Sequence, residues 1–130
     1  MNAIPTDLSG YDFCWSACAL EHLGSIRLAL DFIRNSLETL RPRGIAVHTT
    51  EFNLQSNSDT VDRPILCIPR KHDIEQVIHE LGAAGHRVEP LNLWPGAAPV
   101  DEHIDLPPFT APPALAHLKL LLAGIVTTSI

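Results

Sequence analysis

Long apolar runs are missing from this sequence, and so are clusters of positive charge. No stretch approaches the roughly 18 consecutive apolar residues that span a bilayer, so a membrane-crossing role is excluded as a reading. Lys and Arg together number 9 against 15 Asp and Glu, for a formal net charge of −6. The densest basic run is Arg70-Lys71. A surface that tracks phosphates needs clustered cations, so nucleic acid is not an expected partner. Cysteine is scarce as well: Cys14, Cys18 and Cys67 form an odd set without metal-like pairing. That points to a reduced, cytoplasmic setting with free, buried thiols. Met1 to Pro5 shows neither a charged nor an apolar leader region, so no signal peptide is expected. What remains is an ordinary globular balance, 45% hydrophobic and 18% charged over 130 residues. One modest domain with a real core fits that length.

The stretch from Tyr11 to Phe52 reads as one β-α-β unit. Tyr11 to Ser16 has the length and composition of a buried strand. Ile26, Leu30, Ile33, Leu37 and Leu40 recur at helical spacing, with Ser25 as the N-cap in front of them. Arg41-Pro42-Arg43-Gly44 breaks this helix, and Ile45 to Phe52 follows as a second strand. Two strands joined by a crossover helix run parallel. Their carboxyl ends, Ser16 to His22 and His48 to Asn53, are where a site belongs. Between strand and helix, Ala17 to Gly24 is a turn or single helical turn.

Beyond the second strand, Asn53 to Arg63 is a polar loop and Ile65 to Ile68 a small strand closing it. Lys71 opens a second helix with Ile74, Val77, Ile78 and Leu81 as its buried face, ended by Gly82-Ala83-Ala84-Gly85. Arg87 to Leu93 reads as a third strand, pushed to a sheet edge by Pro90. A proline-rich excursion occupies 94–113, and His117 to Leu122 with Ile125 to Thr128 form a last strand, irregular at Gly124. The pattern predicts an α/β fold.

Polar groups concentrate at the ends of the first two strands. Strand alternation puts His48 and Thr50 on one face, Thr49 and Glu51 on the other. Buried without a partner, a histidine is costly, so His48 either makes a satisfied core hydrogen bond or lines an acceptor pocket. Glu51 and Asn53, which follow at the strand end, favour the pocket. Glu21 and His22 either cap and pack the turn or face a ligand, His22 as a base near neutral pH. His72, His79 and His86 repeat every seven residues, too far apart to converge on one ion, so no metal site is expected. Asp101, Glu102, His103 and Asp105 read as a solvated run.

Several of these segments resemble class I S-adenosylmethionine-dependent methyltransferases. Tyr11-Asp-Phe-Cys-Trp-Ser16 followed by Leu20-Glu21-His22-Leu23 is similar to that family's fourth strand and the turn after it. Leu40-Arg-Pro-Arg-Gly44-Ile-Ala-Val47 resembles its "LkPGG" entry to the fifth strand, with Arg43 where a second glycine is usual. Arg70 to Gly85 resembles the next helix, and Val88 to Leu93 with His117 to Ile130 the final strands. The resemblance spans nearly the whole chain but only the carboxyl-terminal half of the family's domain. The Gly-rich turn after the first strand and the acidic residue after the second have no counterpart among these residues.

The resemblance implies a partial Rossmann-like methyltransferase sheet of about four strands and two to three helices. That sheet would be mainly parallel, with the last strand antiparallel. It implies S-adenosylmethionine as cofactor, near Ser16, Ala17, Cys18 and Glu21, and a small-molecule acceptor near Thr50 and Asn53. His22, His48 and Glu51 would be the catalytic groups. It also implies an open, apolar edge along Tyr11 to Ser16, a pairing hazard unless covered. The expected partner is a second copy, as a homo-oligomer, or a separate chain carrying the first half. The rival reading is a non-catalytic remnant or subunit that associates through this edge.

Overall fold

The computed structural model describes residues 3–54, 56–91 and 120–128, the last of these segments by backbone alone over 120–126. The chain runs β1 (Tyr11–Ala17), a 3-10 turn (Leu20–His22), α1 (Ile26–Leu37), β2 (Leu40–Asn53), β3 (Asp62–Arg63), β4 (Leu66–Cys67), α2 (Lys71–Ala83), β5 (Arg87–Val88) and β6 (Leu120–Thr128). Four strands form one sheet in the order β1-β2-β6-β5, and β3 and β4 make a separate small hairpin. β1 and β2 are parallel, as a crossover through α1 requires. β6 is antiparallel to both β2 and β5. The sheet is therefore mixed, with one parallel pairing, where a mainly parallel one is expected from the sequence.

Local chemistry explains the elements. The Ser25 hydroxyl accepts a hydrogen bond from the Leu28 amide at 3.2 Å, the N-cap anticipated for α1. The Asp62 carboxylate adds a second acceptor for the same helix end, taking the Ile26 amide at 2.9 Å. The Asp73 carboxylate accepts from the Arg70 amide and guanidinium at 2.8 Å at the start of α2, and α1 is tied to α2 by the Arg34–Glu80 ion pair. Ala29, Leu30 and Ile33 from α1 meet Ile74, Val77 and Leu81 from α2 and Ala46 and Phe52 from β2 in one core. Both helices thus pack on the same face of the sheet. Each fully buried aliphatic or aromatic side chain in that layer contributes about 1.5–3 kcal/mol.

Three sequence expectations change. β2 begins at Leu40, so Arg41 to Gly44 belongs to the strand; between the pairs Tyr11–Leu40 and Phe13–Ile45, β1 advances two residues and β2 five. The Pro and Gly expected to end the helix are absorbed in this bulge, and α1 ends before them at Leu37. β6 pairs in unbroken register through Gly124 opposite Thr49, without an irregularity. β5 covers Arg87–Val88 only, and the excursion at 94–113 lies outside the described residues. Within the bulge, Arg43 has φ of 69°, the left-handed region where any Cβ costs about 1–2 kcal/mol. The resemblance places a glycine there. Arg43→Gly should stabilise the protein by about 1 kcal/mol, read as a higher denaturant midpoint with an unchanged slope.

Candidate functional site

Alternation along β2 sorts the predicted site residues into two environments. Ala46, His48, Thr50 and Phe52 are buried beneath the helices, while Val47, Thr49 and Glu51 face the other way. His48 is 1% exposed and has both ring nitrogens engaged: Nδ1 with the Ser16 hydroxyl at 2.8 Å, Nε2 with the Ser36 hydroxyl at 2.9 Å. The Ser36 hydroxyl donates to the Ile33 carbonyl at 2.7 Å. Its own proton is thereby committed, so Nε2–H of His48 donates to Ser36 and the bare Nδ1 accepts from Ser16. Phe32 stands edge-on to the ring at 5.8 Å. Burial pushes the His48 pKa down to about 4. Of the two sequence readings of His48, the geometry is that of the satisfied core histidine.

The Thr50 hydroxyl donates to Glu21 Oε2 at 3.2 Å, with Thr50 fully buried and Glu21 1% exposed. Asn53 is buried and organises the loop that follows: its backbone amide donates to the Pro69 carbonyl at 2.9 Å, its side-chain amide to the Asp59 carbonyl at 2.7 Å. Its side-chain oxygen accepts from the Ser56 amide at 3.1 Å. His22 is exposed, with Nδ1 at 3.2 Å from the Ile65 carbonyl on the β3–β4 turn. Ala17 and Cys18 are also exposed, and Cys18 has φ of 46° as the chain leaves β1. So Ser16, Glu21, His48, Thr50 and Asn53 are internal, while Ala17, Cys18 and His22 form the rim.

Glu51 lies between these groups. Its Oε2 is buried and has no hydrogen-bond partner. Burial raises its pKa, the Glu21 carboxylate adds to the rise, and His22 opposes it. A folded-state pKa above the unfolded value makes the ionised form a penalty near neutral pH. Glu51→Gln should then raise stability at pH 7 by up to about 1 kcal/mol, read from the denaturant midpoint. An unchanged midpoint would show that the carboxylate has full compensation.

Sequence reasoning missed two things. One is Ser36, the second clamp on His48, whose part depends on the phase of α1 against β2. The other is the face of β1. Tyr11, Phe13 and Trp15 are 48%, 51% and 69% exposed, with Ile45 beside Phe13 at 41%. β1 is not a strand buried on both faces, as its composition suggests; Cys14 and Ser16 turn toward α1 and the aromatics turn away. The alternation of Tyr11, Phe13 and Trp15 with Asp12, Cys14 and Ser16 carried that signal. The thiols differ from expectation too, since Cys18 is exposed and Cys14 half-buried, leaving Cys67 as the buried one. Its burial lifts the Cys67 pKa to about 11, helped by Asp62 and Glu21.

Among the described residues no group of His, Cys, Asp and Glu is placed to hold a metal ion. None of their helices is long and apolar enough to cross a membrane. A cavity of about 430 Å³ lies at the other end of the sheet from the carboxyl ends of β1 and β2, lined by Ile4, Pro5 and Leu8 against Asn35, Glu38 and Thr39.

No family model and no curated protein matches this sequence. Solved structures do. A SAM-dependent methyltransferase from Methanosarcina mazei aligns with 99% of this chain and 64% of its own, at 7% identity and a TM-score of 0.54. The cyclase SpnF aligns with 70% of this chain and 31% of its own, at 24% identity and a TM-score of 0.49. The chain spans less than two thirds of the length of either. The fold of this chain is methyltransferase-like.

Proposed function

We propose that this chain is an association subunit: a methyltransferase-like α/β unit that acts through its apolar β1 edge and does not grip S-adenosylmethionine alone. The observation that carries this reading is where the cofactor-side residues spend their hydrogen bonds. Ser16 is committed to His48 and Glu21 to Thr50, both inside the core. Ala17 and Cys18 remain as open rim groups, one without polar side-chain atoms and the other a thiol. No Gly-rich turn follows a strand among the described residues to cradle the methionine part. The described residues do not fit the cofactor as a complete site. The exposed aromatics of β1 supply the associating surface instead.

A second reading keeps catalysis. The buried, unpartnered Oε2 of Glu51 beside His22, and the fold shared with an enzyme named as a SAM-dependent methyltransferase, favour methyl transfer to a small acceptor. There the cofactor grip comes from a partner chain or a second copy, and His22 is the accessible base.

A thermal shift separates the two. With 1 mM S-adenosylhomocysteine the isolated chain should melt at its ligand-free temperature. A ligand at 100 times its Kd adds about 2.7 kcal/mol, so a site of about 10 µM Kd would raise Tm by several degrees. Such a rise would overturn the association-only reading in favour of the catalytic one.

A further inference from the structure

We infer that the occupant of the β1 edge is a second copy of this chain, paired antiparallel to β1 about a two-fold axis at Cys14. This deepens the association reading and rests on its open edge, not on any property of the cofactor. β1 is terminal in the strand order, so one side of its backbone has no strand partner among the described residues. The Cys18 amide donates to the Thr49 carbonyl at 3.1 Å. Alternation in a parallel ladder then turns the amides of Cys14 and Ser16 toward β2 and those of Phe13, Trp15 and Ala17 outward.

Antiparallel pairing centred on Cys14 brings outward-facing residues together. Phe13 of one copy then lies opposite Trp15 of the other, twice by symmetry, and Tyr11 opposite Ala17. Cross-strand aromatic pairs of this kind are favourable contacts in sheets. The same register avoids charge conflict. Asp12, the only charged residue of β1, falls opposite Ser16 of the second copy and is already paired with Arg41. β1 also carries no Lys and no Pro along its length, two of the usual blunting devices.

Each large aromatic presents about 150–250 Å², and three of them, 48%, 51% and 69% exposed, form with Ile45 a patch of several hundred Å². The largest apolar patch of a typical monomer is about 300–600 Å². A two-fold contact uses one self-complementary patch on both copies and closes without growing into a fibre.

The test is mass by light scattering from 5 to 200 µM, on the wild type and on Trp15→Lys, followed by oxidation with diamide. The wild type should weigh twice the 14.2 kDa chain, and Trp15→Lys should return to one chain mass with an unchanged circular dichroism spectrum. Facing Cα atoms at a non-hydrogen-bonded antiparallel pair lie about 4.5 Å apart, within disulfide reach. Cys18→Ser, which retains Cys14, should therefore give a covalent dimer in diamide, which accepts the two electrons and two protons. Cys14→Ser should not. A monomer at 200 µM, or a dimer that Trp15→Lys leaves intact and Cys14 does not cross-link, would overturn the inference. Thermal shift with S-adenosylhomocysteine tests the functional reading separately, because a dimer that binds it keeps this inference and loses the other.

Discussion

Acidification from pH 6.5 to pH 4 should cost the folded protein stability through His48. The group titrates near 6.5 when unfolded and at about 4 when folded. Between those values the unfolded chain binds the proton and the folded one does not, so stability falls as pH falls. The slope contributed by one such group reaches about 1.4 kcal/mol per pH unit and flattens below the folded value. The cause is burial beneath α1, where both ring nitrogens are already matched to neutral hydroxyls. His48→Gln removes the titration while keeping a donor and an acceptor. Its stability at pH 7 should drop by about 1–3 kcal/mol, and the gap to wild type should narrow toward pH 4. Denaturant melts of both proteins at four pH values measure this. A constant gap across the range would place His48 in contact with water.

Gly44→Ala should destabilise the protein by about 2–3 kcal/mol. Conformation is not the reason, for Gly44 is not among the residues with positive φ. Space is. A Cβ there would stand 3.0 Å from the carbonyl oxygens of Arg41 and Tyr11 and 3.0 Å from Leu40 Cβ. Two of those three atoms are backbone, so relief requires opening the β1–β2 bulge itself. Gly82→Ala is the control, since its Cβ would meet nothing within 4 Å; in the last turn of α2 it should be neutral or stabilising. A Gly44→Ala protein as stable as wild type would mean that the bulge rearranges freely.

How far the sequence reveals this molecule depends on whether a signal is local. Ser25 as N-cap, the apolar stripe of α1 from Ile26 to Leu37 and the buried face of α2 all follow from spacing and appear, while Leu40, counted in that stripe, opens β2. The turn carrying Glu21 and His22 and the small strand around Leu66 appear as well. The start of β2 was hidden because Pro42 and Gly44 read as a break, whereas the tertiary pairing of Leu40 with Tyr11 makes them a bulge. The site was harder still. That His48 and Thr50 share a face is legible from strand alternation. Which hydroxyl or carboxylate meets them is not, because Ser36 and Glu21 arrive on other elements whose rotation only packing fixes. Residues chosen for their polarity at strand ends therefore divide between core clamps and an exposed rim. The strip Tyr11, Phe13, Trp15 shows the converse, since its apolar character suggested burial and the sheet leaves it open.

The most direct test of the account is calorimetric titration of the purified chain with S-adenosylhomocysteine, with its mass measured on the same sample. The account predicts twice the chain mass and no heat of binding up to millimolar ligand. A monomer that binds micromolar S-adenosylhomocysteine would contradict it on both counts.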